Sequence, residues 1–260
     1  MAKKSLGQNF LLDLNLTAKI ANCAGNVEGK NIIEIGPGPG GLTRALLETN
    51  ADHVYALEKD DRCIAALQEL AKFFPDKFTL TSADALKVNI ADVCPAPRIV
   101  IANLPYNIAT PLLISWLKQM NEFDSLTLMF QREVADRICA KTRTKAYGRI
   151  SIISQWLCKV EKKFDLPPSA FTPPPKITSS VVHFIPLQDR KDNVKFEIME
   201  KVTAAAFGQR RKMLRQSLKT LKTDTPALLE AANINPESRA EEIDIAGFIR
   251  LCEEYQKMAV

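Results

Sequence analysis

At 260 residues, 46% of them hydrophobic, the chain can form one full α/β domain with a smaller appendage and bury a large core. No apolar run approaches the roughly 18 residues of a membrane span, and "MAKKSLGQNFLLD" turns polar too early for a signal peptide, so a cytoplasmic monomer with no membrane partner is expected. A net charge of +5 is modest, and six scattered cysteines with no CxxC pair indicate reduced, mostly buried thiols and not a zinc site or a disulfide frame.

In chain order, "LGQNFLLD" leads into a helix that Asp13 is placed to cap. The runs "NIIEIG", "HVYALE", "KFTLTSAD", "RIVIAN" and "SLTLMFQ" then read as strands. Between them, "LTRALLETN", "DRCIAALQELAKFF" and "TPLLISWLKQM" read as amphipathic helices. Such alternation is the signature of a parallel, doubly wound α/β sheet. After Gln131 the pattern gives a helix over about 132–140, a basic loop, the apolar "ISIISQWLC", and two extended pieces around "VEKKFDLPP" and "SSVVHFIP" that suit a mixed sheet edge. From about residue 190 only helical periodicity remains, in "FEIMEKVTAAAF", "RKMLRQSLKTL", "PALLEAANI" and "AGFIRLCEEY", with "LQDRKDN" as a linker. Two domains are expected, a catalytic one over 1–187 and a small all-α one over 188–260. Positive charge is concentrated in two stretches, 137–149 with five basic residues and 208–222 with six, neither holding an acidic residue. Together they point to a polyanion, RNA or DNA.

The strand "NIIEI" opens into "GPGPGGLTRAL", in which Gly36, Gly38 and Gly41 satisfy GxGxxG, with Glu58 about twenty residues on at the end of the next strand. This pattern suits a dinucleotide or S-adenosyl-L-methionine. Two details favour the methyl donor. A pyrophosphate cradle needs backbone N–H donors, and Pro37 and Pro39 each remove one. Asp84, ending the third strand in "TSADAL", adds a polar group suited to an adenine amine. Gly36, Glu58, Asp84 and Asn103 thus recur once per strand along one rim, where ligands of such sheets bind.

"NLPY" (103–106) follows the strand that ends this rim. An exocyclic base amine is a poor nucleophile because its lone pair is delocalised into the ring. Acceptors from the Asn103 side chain and a carbonyl of the Leu104–Pro105 turn favour the localised amine that attacks a methyl group, which is stabilisation of developing charge by fixed dipoles. Tyr106 is placed to stack on a base flipped from its helix. No metal or general base is required.

"LGQNFLLD", "EIGPGPGGLT", "ALEKD", "ADAL", "NLPYNIATPLL", "QREVADRI", "AYGRIS", "PPSAFTPPPKITSSVV" and "FGQRRKMLRQSL" stand in an order that resembles the ribosomal RNA adenine N6-dimethyltransferases, most closely the small-subunit enzymes, over nearly the whole chain. The resemblance implies a Rossmann-like S-adenosylmethionine-dependent methyltransferase sheet with a small C-terminal all-α domain. It also implies dimethylation of two adjacent adenosines near the 3′ end of small-subunit rRNA, on the assembling small subunit. By it, Asn9 and Leu11, beside Gln8, close over the cofactor, Gly36 lies against it, Glu58 takes the ribose hydroxyls and Asp84 the adenine. Asn103 serves cofactor and target amine, and Phe171 is the second aromatic on the flipped base opposite Tyr106. Arg210, Arg211, Lys212 and Arg215 belong to a helical domain used on ribosomal RNA. Ala83 departs from the family's usual glycine. Three alternatives stay open: a large-subunit methyltransferase, a non-catalytic RNA-binding or assembly factor with a vestigial site, such as a mitochondrial transcription-factor relative, and a nicotinamide oxidoreductase, which NLPY and the loop prolines disfavour.

Overall fold

The computed structural model describes residues 9–258. Chain order gives β1 (Phe10–Leu11), α1 (Leu14–Asn22), β2 (Asn31–Ile35), α2 (Gly41–Leu47), β3 (His53–Glu58), α3 (Asp61–Ala71), β4 (Phe78–Ser82), β5 (Arg98–Ala102), α4 (Tyr106–Leu117), β6 (Ser125–Gln131) and α5 (Arg132–Ile138). They are followed by α6 (Arg149–Leu157), β7 (Cys158–Leu166), β8 (Phe171–Thr172), β9 (Ser179–Pro186), α7 (Phe196–Gly208), α8 (Leu214–Ser217), α9 (Thr225–Ala231) and α10 (Ile245–Met258). None of the six cysteines is in a disulfide. Among the described residues no helix is long and apolar enough to cross a membrane.

Contacts divide the chain into two units, residues up to 135 with 160–186, and 136–159 with residues from 187 on. The first holds a seven-stranded sheet of order β4-β3-β2-β5-β6-β9-β7. β2 to β6 run parallel and β9 returns antiparallel to β6, with Leu126 opposite Phe184 and Gln131 opposite Ser179. Every residue of β2 and β5 is buried, as in a sheet covered on both faces, the polar Asn31, Glu34 and Arg98 included. The order in which strands are added reverses between β2 and β5, which pair in parallel, so their carboxyl ends flank the crevice where a doubly wound sheet binds its ligand. Asp13 caps α1, its side chain accepting from the N–H groups of Asn15 and Leu16.

The second unit begins earlier in sequence than the expected boundary at 187/188. α6 packs on α7 and α10, so the apolar "ISIISQWLC" is a helix serving the C-terminal core. The expected linker is also pinned within this unit. Trp156, 2% exposed, donates its indole N–H to Asp192 at 3.2 Å, and the Arg190 guanidinium lies 4.2 Å over its ring. A further difference concerns "RKMLRQSLKTL", read as one helix. The segment 209–213 is instead a turn, because Met213 bridges Arg239 and the Leu214 N–H turns to Ser238 O at 2.8 Å. Trp156→Phe, which leaves Asp192 without the indole donor, is expected to cost about 1.5–3 kcal/mol in urea unfolding; an unchanged midpoint would show that the indole bond does not hold the 187–193 segment.

Candidate active site

Carboxyl ends of β2, β3 and β5 and the loop after β4 open into one cleft in the first unit, bringing together Asn9, Leu11, Gly36, Glu58, Asp84, Asn103, Leu104 and Tyr106. Glu58, 6% exposed, ends β3 and spends its carboxylate on the main chain. Oε2 accepts from Gly38 N–H at 3.0 Å, and Oε1 from Lys59 and Asp60 N–H, both at 2.8 Å. A carboxylate offers about four acceptor positions, so Oε2 keeps one for a donor in the cleft.

That bond completes an accounting of the glycine loop. Gly36 N–H is held by Leu57 O at 2.9 Å, Gly38 by Glu58, and Gly40 by Pro37 O at 3.1 Å. Pro37 and Pro39 have no N–H. Residues 36–40 therefore offer no N–H to a pyrophosphate, which counts against the dinucleotide reading. Two glycines are required by close approach. A Cβ on Gly41 would come within 2.2 Å of Leu11 O, and one on Gly38, at φ +59°, within 2.8 Å of the Phe10 ring. β1 thus lies directly on the loop, and Phe10, not singled out from the sequence, lines the cleft beside Asn9 and Leu11. Gln8 lies outside the described residues.

Asp84 accepts from Leu86 N–H and pairs with Lys59 Nζ at 3.1 Å; the backbone bond, then the lysine, hold its carboxyl below the usual range. Asn103 donates from Nδ2 to Asn9 O at 3.1 Å, which orients the amide and leaves Oδ1 without a donor among the described residues. The Leu104 carbonyl likewise receives no hydrogen bond among them. Tyr106 opens α4 half-buried, its hydroxyl bonded to Ser179 Oγ, and burial raises its pKa against that bond.

Phe171 is not brought to the cleft. It is 3% exposed, pairs with Leu11 across β1 and β8, and belongs to the core cluster with Ile99 and Val181. The sequence expectation that it faces Tyr106 across a base is not met in this conformation, because an aromatic in a two-residue strand gains more by packing beneath it. In the second unit Arg210 is paired with Glu241 at 2.8 Å and Arg215 with Glu237 at 3.7 Å, while Arg211 and Lys212 are exposed with no ion pair among the described residues.

Glu34 was missed. It lies 1% exposed inside β2 and lines the cleft, with Oε2 lacking any hydrogen-bond partner among the described residues. Burial pushes its carboxyl up to about 8, against a weak pull from the Thr43 hydroxyl and with a push from the Glu58 charge. The available signal was an acidic residue in a strand otherwise read as wholly buried.

A doubly wound sheet with an acidic cleft at its switch point, a glycine loop closed to phosphate, and an Asn-Leu-Pro-Tyr turn beside it defines a Rossmann-like, S-adenosylmethionine-dependent methyltransferase. The ribosomal RNA adenine dimethylase family matches residues 1–257. A Rhodospirillum rubrum protein called ribosomal RNA small subunit methyltransferase A is 53% identical over 250 residues, 96% of this chain and 86% of that protein. Its namesake in Xanthobacter autotrophicus is 53% identical over 261 residues, 99% and 90% of the two chains. Among solved structures, a dimethyladenosine transferase from Plasmodium falciparum aligns with a TM-score of 0.83 at 26% identity, covering 96% of this chain and 98% of its own. The 23S rRNA methyltransferase ErmE shares the fold, with a TM-score of 0.71 at 24% identity over 95% of this chain and all of its own. The chain belongs to the ribosomal RNA adenine dimethylase family.

Glu34 makes stability depend on pH. Its carboxyl titrates near 4.5 when unfolded and near 8 when folded, so between these values only the folded state holds the proton. Stability should therefore fall as pH rises through that window, by up to about 1.4 kcal/mol per unit, and level off above it. Glu34→Gln should remove this slope in urea titrations from pH 5 to 8; parallel profiles for the two proteins would refute the assignment.

Proposed function

We propose that this chain transfers methyl groups from S-adenosyl-L-methionine to N6 of two adjacent adenosines in a hairpin near the 3′ end of small-subunit rRNA, giving N6,N6-dimethyladenosine. The observation that carries the reading is the pair of unsatisfied acceptors at the turn, Asn103 Oδ1 and the Leu104 carbonyl, next to a cleft whose loop 36–40 offers no N–H to a phosphate. The residues present fit this cofactor, since Glu58 and Asp84 offer carboxylates to hydroxyl and amine donors and nothing in loop 36–40 is left asking for an anion. When bound, the cofactor supplies an electrophilic methyl group. Asn103 and the Leu104 carbonyl accept the two N6 hydrogens and so draw the lone pair out of conjugation. Tyr106 supplies a ring for the flipped base, with stacking of about 1–3 kcal/mol offsetting part of the cost of unstacking. Positioning amine and methyl together lowers the barrier further.

The relatives named for the small subunit favour that RNA over the large-subunit alternative. In the same reading, residues 188–260 with Arg211 and Lys212 bind the RNA, and the protein works as a cytoplasmic monomer on the assembling small subunit.

Asn103→Ala decides between an enzyme and a binding factor. At saturating cofactor, methyl transfer to unmethylated small-subunit RNA should fall by about two to three orders of magnitude, as when one preorganised polar partner is deleted. RNA binding should persist. Near-normal dimethylation by the variant, read by mass spectrometry of the RNA, would sink the mechanism.

A further inference from the structure

Within the second unit, the two basic stretches meet. Arg210 Nη2 donates to Thr144 O at 3.4 Å, across 66 positions of sequence. The junction is built on an acidic residue. Glu241 Oε2 receives Arg210 Nε at 2.8 Å and Nη2 at 2.8 Å, and the Glu241 carbonyl receives the Arg143 N–H at 2.8 Å. One residue therefore grips both the side chain of the second basic stretch and the backbone of the first.

The rest of the loop is fixed on either side of this grip. Gln155 Nε2 donates to Ile138 O and Ala140 O, both at 2.9 Å. Tyr147 is fully buried, edge-on to Phe207, which stacks on Phe248. The chain before Glu241 is tied to the second stretch by Leu214 N–H to Ser238 O at 2.8 Å and Arg215 N–H to Pro236 O at 3.1 Å. Arg143 sits at φ 68°, a left-handed conformation unfavourable for a residue with a Cβ, and its N–H bond to Glu241 offsets that strain. Outside this framework Lys141, Arg143, Lys145, Arg211 and Lys212 are all exposed, with no ion pair among the described residues.

We propose that Glu241 and Arg210 are positioning residues that clamp loop 141–147 to the 210–215 segment, so that Arg143, Lys145, Arg211 and Lys212 form one phosphate-binding face for RNA. The proposal rests on the RNA-methyltransferase reading above. It assigns Arg210 to the scaffold, in place of the direct phosphate contact expected from the charge run. It also reverses a sign: an acid beside a cationic face repels phosphate, so charge alone says that removing Glu241 tightens RNA binding, whereas a clamp says that removing it loosens binding.

Full-length wild type, Glu241→Gln, Arg210→Lys and Arg211→Ala are titrated with a hairpin RNA from the 3′ end of small-subunit rRNA across a salt series, with thermal melting and S-adenosylmethionine binding as folding controls. The clamp predicts that Glu241→Gln and Arg210→Lys each weaken RNA binding about three- to tenfold, equivalent to about 0.7–1.4 kcal/mol, although neither loses a positive charge. Their salt slopes should stay at the wild-type value, and hydrogen exchange at Arg143 should quicken. Arg211→Ala should instead reduce the slope by about 0.7–0.9. Tighter binding by Glu241→Gln, or unchanged binding by Arg210→Lys, overturns the clamp while leaving the RNA reading intact. Wild type that binds no RNA overturns both. Should Glu241→Gln fail to fold, Arg210→Lys alone decides, because it keeps the charge and loses only the two-nitrogen grip.

Discussion

Glu58 holds three backbone N–H groups at once, and the geometry of the whole cleft follows from that demand. A buried carboxylate must be hydrogen-bonded, so the strand that delivers it also fixes the turn after β3 and, through Gly38, the loop after β2. Once Gly38 N–H is taken, residues 36–40 have no N–H left to face the cleft. The two prolines are part of the same solution, since each removes an N–H that would otherwise need a partner. Gly41 then admits the Leu11 carbonyl, which a side chain there would exclude. The roof formed by β1 therefore depends on the floor set by Glu58.

Asn103 joins this roof to the chemistry. Its Nδ2 is committed to Asn9 O, so the same bond that secures the segment over the cofactor cleft points Oδ1 away from it. The position of the segment at Asn9 and the orientation of the Asn103 amide are thus one arrangement. The Leu104 side chain is 1% exposed, which anchors the turn in the core while its carbonyl stays unused. Pro105 holds extended backbone at φ −56°, ψ 127° before α4 begins, which keeps that carbonyl from being drawn into the helix. The turn is thus held by packing and by hydrogen bonds already made.

The parallel strands and their rim were legible because both obey local rules: apolar runs of strand length, and polar residues placed just where those runs end. Glu58, Asp84 and Asn103 could be picked out for that reason. What escaped the sequence depends on partners far along the chain. β1 and β8 are two residues each and exist only because Phe10 and Leu11 meet Thr172 and Phe171; no periodicity announces so short a pair, and the family resemblance alone placed Phe171 on the base. Helical periodicity in "RKMLRQSLKTL" begins at Arg211 while the helix begins at Leu214, since pairing of Met213 with Arg239 outweighs local propensity. Segment 136–159 reads in sequence as an extension of the sheet domain, yet its apolar helix α6 finds its cover on α7 and α10.

Charge followed the same logic. A formal sum of +5 weights every group equally, but the fold does not. Glu34 is buried with its carboxyl raised to about 8, so at neutral pH it is largely protonated and contributes little negative field. Asp60 is buried and paired with Arg62, and Glu58 faces its own backbone. Arg143, Lys145, Arg211 and Lys212 stay exposed, where a field reaches solvent within about a Debye length of 8–10 Å. Glu34 and Glu58 thus lie buried along the cleft, while these cations face solvent. At the junction of the second unit's two basic stretches the acid is Glu241, whose Oε2 and carbonyl oxygen are already occupied by Arg210 and the Arg143 N–H.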